Sequence, residues 1–178
     1  SLRLIPDLTV IRPADANETS YAWKAALENR SGPTALLFTR QGLPVFEDAA
    51  NTENAMKGGY VVSDSENAQV LLMASGSEVQ IAMEAAKILE RDGVATRVVS
   101  MPSMELFEQQ SMDYKESVIL PSIKARVAVE AGVDATWQKY LNGGEFVGMS
   151  TFGASAPYKE LYQHFGITAD VVVEEALN

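Results

Sequence analysis

The chain has 178 residues, 47% hydrophobic and 21% charged, with no cysteine and a net charge of −10. That balance excludes intrinsic disorder and predicts a folded chain holding one domain plus a piece of another. The excess of acid excludes nucleic acid as a partner, since counterion release on a phosphate backbone needs clustered Lys and Arg. The lack of Cys excludes a disulfide framework and thiolate metal sites.

Most of the acid lies late: residues 56–178 carry nine Lys/Arg against seventeen Asp/Glu. An anionic ligand must therefore be met by a locally placed cation. No signal-like region or long apolar run is present, so the protein is expected to be cytoplasmic and not to span a membrane. The opening at Ser1, without an initiator Met, is read as a cut from a longer polypeptide.

In chain order, Leu8–Ile11 is a short apolar run ending at Arg12-Pro13, where the proline biases Arg12 to an extended backbone and a strand gives way to a loop. Asp15 or Asn17 caps a helix running to about Asn29, with Ala22, Trp23, Ala26 and Leu27 on one apolar face. Ser31-Gly32-Pro33 ends it. Thr34–Thr39 is an apolar run of strand length, stopped by Gln41-Gly42-Leu43-Pro44, which puts Arg40 at the strand's C-terminal end. In parallel α/β sheets ligands are met at that end. Residues 45–59 lack periodicity and contain Asn51, Asn54, Gly58 and Gly59 as breakers; they are expected to be an interdomain linker.

Beyond it the spacing predicts strands at Tyr60–Ser63 and Gln69–Ala74, the second stopping at Ser75-Gly76. Ser77 with Gln80 forms a capping box for a helix whose stripe is Ile81, Ala82, Ala85, Ile88 and Leu89 and whose stop is Gly93. Ala95–Ser100 is a strand, Met104–Gln110 a short helix, Ala125–Glu130 a strand, Thr136–Leu141 a short helix and Phe146–Met149 a strand. Ser155-Ala156-Pro157 opens a helix carrying Leu161 and Phe165, and Thr168 starts the last one. The fold class is therefore α/β: a mostly parallel sheet flanked by helices, preceded by a partial α/β segment.

Residue chemistry alone names no reaction. Read without relatives, Arg40 is an arginine paired with a nearby Asp or Glu. Ser75-Gly76-Ser77 before a helix offers a phosphate cradle, but it lacks the spacing of a P-loop and Ser77 already has a capping role, so the cap is preferred. Glu130 after an apolar strand invites an acid/base reading; no partner is identifiable and a structural role is preferred. His164, the only histidine, is expected to be structural or solvent-facing. Asp64, Glu66, Glu174 and Glu175 read as solvated charge, and no Asp/Glu/His arrangement has metal-ligand spacing.

Several motifs occur in an order that resembles the transketolase family. They are Arg12-Pro13-Ala14-Asp15-Ala16-Asn17-Glu18, Gly32-Pro33-Thr34-Ala35-Leu36 and Thr39-Arg40-Gln41-Gly42-Leu43-Pro44, then Gly58-Gly59-Tyr60-Val61, Ala74-Ser75-Gly76-Ser77-Glu78 and Val98-Val99-Ser100-Met101-Pro102-Ser103. Tyr114-Lys115-Glu116-Ser117-Val118, Arg126-Val127-Ala128-Val129-Glu130-Ala131-Gly132 and Phe152-Gly153-Ala154-Ser155-Ala156-Pro157 continue the series. Ser-Gly-Ser-Glu is shared with other thiamine-diphosphate enzymes. The Thr-Arg-Gln run with Arg-Pro-Ala-Asp narrows the resemblance to transketolase or dihydroxyacetone synthase.

The resemblance implies that residues 1–44 are the incomplete C-terminal end of a pyrimidine-binding domain, 45–59 the linker and 60–178 the C-terminal domain. It implies a homodimeric parent that moves a two-carbon ketol unit between sugar phosphates of the pentose phosphate pathway, using thiamine diphosphate with Mg²⁺ or Ca²⁺. By the family's motif, Arg40 takes the role of binding the substrate phosphate. Gly42 departs from the family, which carries Asn or Asp there. The catalytic residues, cofactor contacts and metal ligands fall upstream, so the chain alone is expected to bind no cofactor and to be inactive. The other reading is a stand-alone nucleotide or sugar-phosphate binding or dimerisation module.

Overall fold

The computed structural model describes residues 2–46 and 51–178. In its front segment, Thr9–Ile11 (β1), Ala16–Glu28 (α1) and Thr34–Leu36 (β2) form a small βαβ unit whose strands pair in parallel, Thr9 opposite Thr34 and Ile11 opposite Leu36. Asp15, in an extended conformation, caps α1 by accepting from the Glu18 backbone N–H, as its residue type predicts. β2 stops at Leu36, three residues earlier than the apolar run suggested. Its last ladder contact is Leu37 N–H to the Ile11 carbonyl at 2.9 Å. Past Ile11 the chain turns away to other partners, so Phe38 and Thr39 have no strand to pair with.

The second unit is a five-stranded sheet made of Tyr60–Asp64 (β3), Val70–Ala74 (β4), Thr96–Ser100 (β5), Ala125–Val129 (β6) and Glu145–Val147 (β7), in the spatial order β3-β5-β4-β6-β7. Only β3 runs antiparallel, along the β5 edge. β4 is apolar and buried at every position, because helices cover both of its faces. Leu72 and Ala74 point to the layer of Val79–Arg91 (α2) and Ala169–Leu177 (α7), meeting Ala82, Ala85, Leu89 and Val172. Leu71 and Met73 point the other way, to Met104–Glu108 (α3), Met112–Val118 (α4) and Gln138–Leu141 (α5), meeting Phe107, Val118, Trp137 and Leu141. The helix Tyr158–His164 (α6) precedes α7.

Three local features differ from the sequence reading or add to it. Ser77 is not a cap: Gly76–Glu78 is a 3₁₀ turn, α2 starts at Val79, and the Ser77 hydroxyl instead donates to Glu78. α4 was not expected at all, although Ser111 caps it by accepting from Tyr114 N–H. Within the expected linker, Thr52–Lys57 forms a 3₁₀ helix with Ala55 buried; residues 47–50 lie outside the described residues.

The order of connections decides where a ligand crevice belongs. From β4 the chain crosses to β5 on one side, and from β5 it crosses back to β6 on the other, so the topological switch point lies between β4 and β6. Ser75 follows β4 there and Glu130 follows β6.

Candidate functional site

That crevice is filled by arginines from the front segment. Glu130, whose side chain is 11% exposed, accepts from Arg3 Nη1 at 2.9 and 2.8 Å, from Ser75 Oγ at 3.0 Å and from Trp137 Nε1 at 2.9 Å, and pairs with Arg12 Nη1 at 3.1 Å. Arg12 also reaches Ser75 Oγ at 2.9 Å and, through Nη2, Glu78 Oε2 at 2.9 Å. The fully buried Glu78 carboxylate is completed by Ser77 Oγ and Tyr162, both donating to Oε1.

Burial pushes the Glu130 carboxyl up, but the Arg12 and Arg3 guanidiniums with the hydrogen bonds of Arg3 and Ser75 outweigh it and hold it below the usual carboxylate range. Burial likewise works against the charge on Arg12, and Glu78 and Glu130 reverse the balance. The acid/base alternative for Glu130 therefore has no free carboxylate behind it. Its partners were invisible in the sequence because Arg3 stands 127 residues away.

A second buried carboxylate joins the same two units. Glu18 on α1 accepts from Tyr60 OH at 3.0 Å and Ser100 Oγ at 2.6 Å through Oε1, and from Ala14 N–H at 2.7 Å through Oε2. Burial is the main reason that its carboxyl is pushed up to about 7; Asp15 adds to this, and the three hydrogen bonds oppose it. Asp15 Oδ2 in turn accepts from Phe46 N–H at 3.0 Å, holding the start of the connection that leaves the front segment.

Arg40 lies four residues past the end of β2, exposed, in a bend, with no hydrogen bond or ion pair among the described residues. Its neighbours are differently placed. Leu37, Phe38, Thr39 and Gln41 line a cavity of about 290 Å³ together with Gly76, Ser77, Glu78 and Tyr162. Gly42 has no left-handed backbone, and a Cβ there would meet nothing within 4 Å, so neither space nor conformation requires glycine at the position where the family carries Asn or Asp.

The remaining candidates are accounted for. Ser75-Gly76-Ser77 is turned to Arg12, Glu130 and Glu78 rather than arranged as an open cradle. His164 is exposed at the end of α6, against the ring of Phe165. Asp64 is exposed but held by Arg97 at 2.8 and 2.6 Å. Among the described residues no group of three or more His, Asp or Glu side chains is arranged to hold a metal ion. Among the described residues no helix is long and apolar enough to cross a membrane. On the front segment, Trp23 stacks on Phe38 at 6.2 Å between centroids, with both rings about half exposed.

The architecture is thus a doubly wound α/β domain docked, through its strand C-termini, onto the end of another α/β unit. The chain belongs to the transketolase family: residues 58–168 match the transketolase-like TK C-terminal domain, and residues 1–45 match the transketolase pyrimidine-binding domain. It is 45% identical over 181 residues to a transketolase of Aquifex aeolicus, covering 99% of this chain and 26% of that protein. Among solved structures, transketolase from Leishmania mexicana superposes with a TM-score of 0.91 at 44% identity, covering 99% of this chain and 26% of that one. A Pichia stipitis transketolase in complex with sedoheptulose-7-phosphate gives a TM-score of 0.91 at 38% identity, covering 98% and 25%. The chain spans about a quarter of the length of the relatives it matches.

Proposed function

We propose that the chain is the C-terminal part of a thiamine-diphosphate-dependent transketolase in which Arg40 binds the phosphate of the sugar substrate. Residues 1–44 end the pyrimidine-binding domain, 45–59 form the linker and 60–178 the C-terminal domain. The parent enzyme is a cytoplasmic homodimer that transfers a two-carbon ketol unit from a ketose phosphate to an aldose phosphate of the pentose phosphate pathway. The described residues offer no donor set that fits a diphosphate-bound Mg²⁺ or Ca²⁺ ion. The 178-residue chain by itself is inactive in this reading.

The observation that carries it is Arg40: a guanidinium four residues past the C-terminal end of β2, in Thr39-Arg40-Gln41, exposed and without a partner among the described residues. Its planar fork of donors matches phosphate oxygens. One such charge-assisted contact contributes roughly 1.5–3 kcal/mol. The Pichia stipitis relative, solved with a ketose phosphate, supports the same substrate class.

The test is steady-state ketol transfer by the full-length parent and its Arg40→Ala variant, with an unphosphorylated ketol donor and acceptors that do or do not carry phosphate. Loss of kcat/KM by about 10- to 150-fold, confined to phosphorylated acceptors, is the expected result. Equal effects on both acceptors, or none, would make Arg40 structural.

A further inference from the structure

We infer that Glu78, assisted by Ser75 and Glu130, is a positioning residue for Arg40: it anchors Arg12, and through Arg12 the C-terminal domain sets how well the Arg40 loop holds phosphate without touching substrate itself. The inference rests on the phosphate-binding reading of Arg40 and extends it to residues on the other domain.

Arg12 is gripped at both ends. Its side chain is held by Glu78 at 2.9 Å, Ser75 at 2.9 Å and Glu130 at 3.1 Å. Its backbone N–H donates to the Pro102 carbonyl at 2.8 Å, and its own carbonyl accepts from Gly76 N–H at 3.0 Å. Arg12 is therefore as fixed as the sheet to which it is tied. The residue before it, Ile11, supplies the last ladder contact to the strand that leads to Arg40, accepting from Leu37 N–H at 2.9 Å. Past Leu37, Phe38 and Thr39 have no strand partner.

What the loop has instead is a wall. Thr39 and Gln41, the chain neighbours of Arg40, line the same cavity as Gly76, Ser77 and Tyr162. Glu78 links residues lining that cavity, because Oε2 holds Arg12 while Oε1 accepts from Ser77 and from Tyr162. A buried carboxylate with all its donors in place is a rigid fixture. A phosphate-binding side chain on a loop binds well only if the loop is already ordered, since any ordering left to the binding step is subtracted from affinity.

The test uses the full-length parent enzyme, with phosphorylated and unphosphorylated acceptors compared for Glu78→Gln, Arg40→Ala and the double variant. Glu78→Gln is expected to raise KM for the phosphorylated acceptor by about 5- to 20-fold, part of the loss expected for Arg40 itself, with kcat and the unphosphorylated reaction unchanged. In the double variant the phosphorylated acceptor should show no loss beyond that of Arg40→Ala alone. Additive losses, or a Glu78→Gln enzyme that treats both acceptors like wild type while Arg40→Ala remains selective, would overturn the positioning role and leave the phosphate reading standing. If Arg40→Ala is itself unselective, the phosphate reading falls and takes the positioning role with it. Should Glu78→Gln fail to fold, Ser75→Ala, which removes one hydroxyl from the same anchor, carries the test: a smaller KM shift of the same selectivity supports the role, and an unchanged ratio between acceptors overturns it.

Discussion

Ser100, the last residue of β5, donates its hydroxyl to the Glu18 carboxylate of α1 at 2.6 Å, joining two elements 82 residues apart. Both are buried, and Tyr60 donates to the same oxygen.

Because the Glu18 carboxyl is raised from 4.5 to about 7, its contribution to stability is fully present below pH 4.5 and is lost as pH rises through 7. The loss on ionisation is roughly 3 kcal/mol. A Gln side chain has the same shape, accepts from Ala14 N–H, and donates to the Tyr60 and Ser100 hydroxyls, which rotate to accept. Urea unfolding of the chain across this pH window should therefore show Glu18→Gln gaining on wild type as pH rises from 5 to 8. A constant difference between the two would rule out Glu18 as the titrating group.

Glu130 behaves in the opposite sense. Its lowered carboxyl contributes stability above the ordinary value of 4.5 that disappears as pH falls through the depressed folded value. Glu130→Ala leaves Arg3 and Arg12 without their shared carboxylate in a buried setting, and should destabilise by about 3–5 kcal/mol at pH 7. Equilibrium denaturation at pH 7 checks this; a change under about 1 kcal/mol would mean that solvent already compensates the pair.

Two glycines with similar backbones separate conformational strain from collision. Gly58 and Gly93 have φ of 85° and 83°, but a Cβ on Gly58 would lie 2.2 Å from the Ser103 carbonyl oxygen and 2.3 Å from Phe107 N, whereas one on Gly93 meets nothing within 4 Å. Gly93→Ala should cost about 1–2 kcal/mol, the left-handed penalty alone. Gly58→Ala should exceed about 4 kcal/mol, because the obstacles are backbone atoms of the α3 start. Equal midpoints for the two variants in thermal unfolding would contradict the distinction.

Hydrogen exchange of the 178-residue chain should show β2 and the outer face of α1 exchanging before β4, β5 and β6. Among the described residues the front sheet has two strands, and Trp23, Leu27 and Phe38 are about half or more exposed, while every residue of β4 is buried. Uniform protection across both units would show that the Arg12 and Glu18 contacts make them one cooperative body.

Much of this architecture could be read from the chain alone because local physics is decisive where burial is complete. The apolar run ending at Ala74 reads as a strand, the stripe from Ile81 to Leu89 as an amphipathic helix, and Asp15, with Asn17 as the alternative, as the cap of α1. Local rules failed where a tertiary partner competed. Ser77 has the residue type and spacing of a capping box, yet its hydroxyl goes to Glu78, whose carboxylate is committed to Arg12. β2 stops short because β1 is pulled away at Arg12.

For the site, the sequence by itself determined the family-like motif order and the residue type at Arg40, since a guanidinium after a strand needs no fold to be suited to phosphate. It also carried Arg12, Glu18, Glu78 and Glu130 in those motifs without any sign that they meet. Only the tertiary structure decided that they do, pairing Arg12 with Glu78 and Glu18 with Ser100 across the junction. The physical reason is that a buried charge is stable only beside its counter-charge or donors, and their positions depend on strand order and domain docking, which no local spacing encodes.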